Sequence, residues 1–325
     1  MMNQSLKSLS SITYGTVVIG KWHRNRYRII KQLGYGANGV VYLADWNGKN
    51  VAIKMSNNSV SITSEVNVLK SFSKVQGYAL GPSLIDIDDW AKEGTFIPFY
   101  VMEYIEGLNF VQFIQKNGYT WVPILILQLL NDLHQLHMQG WVFGDLKPEN
   151  LIVSNPPPKI RCIDVGGTTL QGRAIKEYTE FFDRGYWGLG GRKAEPSYDL
   201  FAVAMVMINA FYPKKFERKQ SGLLQLKEII KNHRELSQYE GVLIKALSGK
   251  YQSALEMRDD IIDNLNKYTV KKTIKNKTNM HKKSVNKPSS QNGVYKSKKS
   301  SLFETVFIVF VISLFYALYV IAKIY

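Results

Sequence analysis

An α+β domain, trailed by a disordered basic segment and a final apolar helix, is the architecture this sequence predicts. Three observations carry it. Strand-like and helix-like hydrophobic patterns alternate over residues 21–266, as in a globular α+β domain. Residues 267–300 turn to Lys, Asn, Ser and Thr, a composition too polar to offset the entropy of ordering. Eighteen consecutive uncharged residues, rich in Val, Ile, Leu and Phe, then run over 305–322.

Charge separates the same zones. The 325 residues carry a net +16, yet eleven lysines and no acidic residue lie between Lys267 and Lys299, leaving +5 on the rest. At 45% hydrophobic and 12% aromatic, the chain as a whole is not disordered. The single cysteine, Cys162, excludes an intramolecular disulfide and suits a reducing compartment. Residues 1–20 read as a polar N-terminal extension with no export signal.

Within the domain, the first chemical signal is Leu33-Gly34-Tyr35-Gly36-Ala37-Asn38-Gly39-Val40-Val41. Glycines so spaced occur both in dinucleotide folds and in phosphate-covering flaps, and the surroundings decide between them. A dinucleotide loop runs from strand into helix. Here the glycines lead instead into a second strand, an Asn47-Gly48 hairpin pair and a third strand ending Val51-Ala52-Ile53-Lys54. That order lays a backbone flap over phosphates, with Val41 and Ala52 placed to sandwich an adenine.

These segments resemble the eukaryotic-type (Hanks) protein kinases, and the resemblance extends over about residues 24–266. It implies a bilobal fold, with a β-rich small lobe over 21–102 and a helical large lobe over 103–266. Lys54 matches the lysine that bridges the α- and β-phosphates, and Glu65, eleven residues on, matches the helix-borne glutamate that holds it. Met102, Glu103 and Ile105 match the hinge: Met102 backs the adenine pocket, and backbone groups of the other two pair with the adenine edge.

The most specific match is Asp145-Leu146-Lys147-Pro148-Glu149-Asn150-Leu151. By resemblance Asp145 accepts the proton of the substrate hydroxyl and Lys147 neutralises the γ-phosphate. Asn150 and Asp164, fourteen residues later, hold a divalent ion, magnesium or alternatively manganese, with oxygen ligands. Asp199 matches a buried aspartate that braces the catalytic loop. Lys147 favours serine or threonine acceptors on protein substrates.

Departures from the family pattern lead to further expectations. Phe143-Gly144-Asp145 stands for H-R-D and Val165 for the phenylalanine of D-F-G, so an enlarged Phe143 and a reduced Val165 are expected to keep one apolar column. Gly144 replaces the arginine that answers a phosphorylated activation loop. Basal activity is therefore expected without phosphorylation of Thr168, Thr169 or Thr179. The A-P-E signature is unrecognisable, with Gly188-Leu189-Gly190 as its remnant, and Lys250 replaces its arginine partner, so that ion pair is read as abandoned. Asp183 is assigned where the family has a threonine touching Lys147. His134 and His137 read as structural rather than metal-binding, and Trp121, Trp141 and Trp187 as core anchors.

Two functions remain in competition: an active ATP-dependent serine/threonine kinase, and a pseudokinase acting as a nucleotide-gated membrane scaffold. The run over 305–322 suffices to cross a bilayer at about 1.5 Å per residue. Lysines on its N-terminal side predict a single-pass anchor (301–325) in the cell membrane, with the kinase domain cytoplasmic and the C-terminus outside. The linker, with a reach of about 30 Å, is open to three readings: nucleic-acid arm, anionic-lipid clamp or spacer. Lysines among Asn, Ser and Thr suit sequence-independent phosphate contacts, with Lys271, Lys272, Lys275, Lys277, Lys282, Lys283 and Lys287 as candidates for double- or single-stranded DNA. The layout also resembles a narrower group, the short membrane-anchored sporulation kinases of Bacillus-type bacteria. That resemblance implies a DNA-linked activation, and a homodimer stays open.

Overall fold

The structure, a computed structural model, describes residues 9–36, 38–73, 80–92, 94–219 and 221–267. The linker lysines at 271–287, the apolar run over 305–322 and Ala37 lie outside them. Among the described residues, no helix is long and apolar enough to cross a membrane.

Six antiparallel strands build the small lobe, in the order β1-β2-β3-β4-β6-β5. They are β1 (Val17–Ile19), β2 (Arg26–Gly36), β3 (Gly39–Trp46), β4 (Lys49–Met55), β5 (Leu84–Lys92) and β6 (Thr95–Glu103). The Asn47-Gly48 hairpin forms as expected, with φ of 53° and 80° at its two central residues. A period of two sorts the strand residues onto two faces. Val51, Ile53 and Met55 of β4 pack with Ile97, Phe99 and Val101 of β6 in a core of the small lobe. The alternate residues Ala52, Tyr100 and Met102 belong to the main core on the other face, beside helix α1 (Ser59–Ser73). The lobe begins before Lys21: β1 joins the sheet, and Leu9 is buried beneath the Tyr42 hydroxyl, which donates to its carbonyl.

The large lobe is helical. It contains α2 (Phe110–Asn117), α3 (Trp121–Met138), α4 (Pro196–Phe211), α5 (Gly222–Asn232), α6 (Glu240–Leu247) and a last helix over 254–267. The Asn109 side chain caps α2 by accepting the Gln112 N–H at 2.9 Å. Pro196 opens α4 at a position where the missing N–H costs nothing. Every residue from Tyr198 to Phe211 is buried, so α4 is the axis around which the lobe packs. Short strands β7 (Leu108–Asn109), β9 (Leu151–Ser154) and β10 (Lys159–Cys162) form one sheet; β8 (Trp141–Val142) and β11 (Thr169–Leu170) form another. These two small sheets hold the loops over 143–150 and 163–168 against each other at the foot of the small lobe.

Candidate active site

A cavity of about 1070 Å³ lies where the strands of the small lobe meet those two loops. Its roof comes from β2, β3 and β4. Leu33, Gly34, Tyr35, Gly36, Asn38, Gly39, Val41 and Ala52 all line it. Gly39 is irreplaceable on two counts: its φ is +136°, and a Cβ there would stand 2.3 Å from the Met55 carbonyl oxygen. Val40 does not line the cavity. It alternates to the opposite face and is fully buried in the core of the small lobe, as the period of two requires. Met102, Glu103 and Ile105 line the back and the edge.

Strand register explains the next layer. Lys54 pairs with Tyr100 and Ala52 with Met102 across β4 and β6, so all four side chains face the cavity side. Lys54 Nζ donates to Glu65 at 2.6 Å and stands 3.8 Å from Asp164. Glu65 sits behind the lysine rather than in the cavity wall and also accepts from the Tyr100 hydroxyl at 2.7 Å. Burial, the largest influence on Lys54, works to lower its pKa; Asp164 and Glu65 together outweigh it and hold the ammonium charged. The Tyr100 hydroxyl is pushed well up by burial and by the same glutamate. Tyr100 escaped the sequence reading, although its place two residues before Met102 on a strand was the available signal.

At the edge, the Glu103 carboxylate accepts from Arg161 at 2.9 and 3.1 Å and from the Ser83 N–H at 3.1 Å. Burial alone would raise this carboxyl, but those donors carry it below the ordinary range. Arg161 also donates to the Gly81 carbonyl, tying β10 to the hinge.

The floor gathers Asp145, Lys147, Asn150 and Asp164. Lys147 donates to Asp145, and the Asn150 amide donates to the Asp145 carbonyl at 3.0 Å. Asp164 accepts the Gly166 N–H at 2.9 Å and leaves nearly half of its side chain open to the cavity. Below, the fully buried Asp199 accepts the N–H groups of Phe143 and Gly144 at 2.8 and 2.9 Å, and His137 Nε2 at 2.8 Å. His137 is thus structural, as its sequence context predicts. Gly144 adopts φ +84°, and a Cβ there would meet the Gly167 carbonyl oxygen at 2.7 Å. Two glycines let the two loops touch. Phe143 and Val165 are both buried in the main core.

The structure corrects the place expected for Asp183 and adds contacts in the following segment. Thr179, not Asp183, touches Lys147: its hydroxyl accepts from Lys147 and donates to Asp145, each at 3.0 Å. Asp183 is instead a buried hub receiving Arg192, the Tyr198 hydroxyl and two backbone N–H groups. Among the described residues Lys250 makes no ion pair, as expected. A different pair closes the segment: Arg184 with Glu195 at 2.7 Å, just ahead of α4. Thr168 and Thr169 are buried, whereas Thr179 is part of the Asp145 cluster, so the three threonines are not one class. Trp187, an anchor as read, is buried and donates its indole N–H to the Phe181 carbonyl.

Comparison with known proteins agrees with this geometry. Residues 27–286 match the protein kinase domain family. The serine/threonine-protein kinase YabT of Bacillus subtilis is 56% identical over 266 residues, 81% of this chain and 79% of that protein. The sporulation protein kinase mde3 of Schizosaccharomyces pombe is 28% identical over 173 residues, covering 49% of this chain and 29% of its own. The serine/threonine-protein kinase ArnS of Sulfolobus acidocaldarius is 24% identical over 234 residues, 59% of this chain and 38% of its own. The chain therefore spans most of the first relative and under two fifths of the other two.

Proposed function

Because the chain belongs to the protein kinase family and resembles a serine/threonine kinase over most of its length, we propose that the cavity residues transfer the ATP γ-phosphoryl group to serine or threonine hydroxyls of proteins. The observation that carries this reading is one cavity lined by Asp145, Lys147, Thr179, Asp164 and Lys54, with Glu65 holding Lys54 from behind. A pseudokinase has no need of all six.

Each side chain then has a task. Lys54, held by Glu65, which the Tyr100 hydroxyl steadies in turn, presents a fixed positive charge to the α- and β-phosphates. Asp145 accepts the proton of the attacking hydroxyl, and Thr179 and Lys147 fix its orientation. Lys147 also covers charge on the γ-phosphate. The half-open carboxylate of Asp164 and the amide of Asn150 form an oxygen donor set that fits magnesium. When bound, that ion supplies charge neutralisation to the nucleotide phosphates.

A second cavity of about 350 Å³ adjoins the first through Thr179 and is lined by Glu180, Phe181, Tyr186, Lys215, Phe216 and Glu217. Lys215 is already paired with Glu149 at 2.9 Å, whereas among the described residues Glu180 and Glu217 pair with no cation. Aromatic walls with two free carboxylates suit a lysine or arginine close to the acceptor in the substrate chain.

We extend the proposal to the C-terminal region: a single-pass anchor over 301–325 that keeps the kinase domain cytoplasmic, and linker lysines over 271–287 that contact DNA phosphates and raise activity. The test is phosphate transfer from labelled ATP by the full chain and by Asp145→Asn, each with and without DNA at several salt concentrations. Loss of a general base costs about 10²- to 10⁴-fold. The variant is expected to lose transfer on that scale while still binding ATP. Equal rates in the two proteins would reject Asp145 as the base, and a DNA response unmoved by salt would reject the phosphate-contact reading.

A further inference from the structure

Residues 176 and 177 cross from the large lobe to the small one. Lys176 Nζ donates to the Ser64 hydroxyl on α1 at 3.1 Å, and to the Thr168 carbonyl at 3.3 Å. Its neighbour Glu177 also lines the cavity, and accepts a hydrogen bond from the Asn38 side chain in the glycine loop. Two consecutive side chains therefore strap the segment after Asp164 to α1 and to the glycine loop.

The position of Glu177 is electrostatically awkward. A Cβ built on Gly166 would lie 3.2 Å from Asp164 Oδ1 and 3.5 Å from Glu177 Oε1, so the two carboxylates flank one glycine. Burial, then Asp164, pushes the Glu177 carboxyl up; Lys54 acts against this, and Asp145 and Glu65 add to it. Nothing in the phosphoryl-transfer reading employs a carboxylate at this point. A triphosphate brings further negative charge to the same end of the cavity, where Lys54, Asp164 and Asp145 converge.

We propose that the Asn38–Glu177 contact is an autoinhibitory latch, holding the glycine loop against the segment after Asp164 and competing with the nucleotide's triphosphate for that end of the cleft. It rests on the nucleotide reading of the cavity. The glycine loop opens only when Asn38 releases Glu177, and Lys176 keeps its hold on α1 throughout. Removing the latch tightens nucleotide binding, the opposite of what a residue that grips the nucleotide would do.

The test measures dissociation constants of Mg-ATP and of adenosine for the full chain and three variants. Glu177→Gln keeps an acceptor for Asn38 but removes the charge; Asn38→Ala removes the bond and keeps the charge; the third combines them. Glu177→Gln is expected to tighten Mg-ATP binding by about 2- to 12-fold, since it removes the charge that meets the triphosphate and weakens the bond to Asn38 from charge-assisted to neutral. Asn38→Ala is expected to give a smaller gain, and the double variant no more than Glu177→Gln, because the two residues act as one unit. Adenosine, which carries no phosphate, is expected to bind all four proteins alike. Unchanged or weaker Mg-ATP binding by Glu177→Gln overturns the latch, as does an equal gain for adenosine. Failure of every protein to bind Mg-ATP sinks the nucleotide reading itself, a result distinct from either.

Discussion

Replacing Asp199 by asparagine tests how the catalytic loop is held in place. The carboxylate is fully buried, with one oxygen accepting His137 Nε2 and the Phe143 N–H, and the other accepting the Gly144 N–H. An asparagine whose oxygen faces the first pair must turn its NH₂ toward Gly144, donor against donor. One buried N–H left unsatisfied costs about 1–3 kcal/mol, and weakening two charge-assisted bonds to neutral ones adds about 1 kcal/mol. The expected loss of about 2–4 kcal/mol is a large part of a total stability of about 5–15 kcal/mol. It is read from the shift in urea midpoint. Gly144 directly precedes Asp145, so the loop moves as well. A misplacement of about 1 Å at the reacting group costs on the order of 100-fold. The rate constant kcat is expected to fall far more than KM for ATP rises, because Lys54 and the hinge lie on other elements. A variant with kcat unchanged and a stability loss under about 0.5 kcal/mol would refute the bracing role.

Other consequences separate the threonines, the substrate cleft and the small lobe. Thr179→Val is expected to lower kcat by about 10- to 100-fold, since it strips a bond from both Asp145 and Lys147; Thr168→Val with Thr169→Val, both at buried positions, should leave transfer within about twofold of the parent. Large losses in the second pair would show that loop phosphorylation is required. Peptides with a lysine beside the acceptor serine should outrun their alanine versions, and Glu180→Gln with Glu217→Gln should erase that preference while sparing the alanine peptide; a preference that survives the pair defeats the assignment. In the small lobe, burial works to raise the Asp86 carboxyl, but donors from Tyr27, Asn25 and His23 overcome it and hold it below its ordinary value of 3.8. A depressed carboxyl contributes stability that is complete above 3.8 and lost as pH falls through the lower folded value. Urea midpoints of the parent should therefore drop below that pH more steeply than those of Asp86→Asn.

The family and the two lobes were legible in the order of the residues, as was the set of side chains that gathers at the cavity. Asp145 to Leu151, the three glycines and Lys54 are local patterns whose spacing survives in one dimension, because a loop or a strand fixes neighbouring residues relative to one another. The Asn47-Gly48 turn was legible for the same reason: only residues that tolerate positive φ fill it. What the tertiary structure alone decided involves residues distant along the chain or on the unexpected face of a strand. Val40 turned inward because pleating alternates faces. Thr179, thirty-four residues from Asp145, could be told from Asp183 only once the segment's course was known. Arg184 found Glu195 ahead of α4, and Glu177 met Asn38 across 139 residues. A sequence motif records the groups that chemistry needs, whereas the contacts that hold, orient or restrain those groups depend on how the chain returns upon itself.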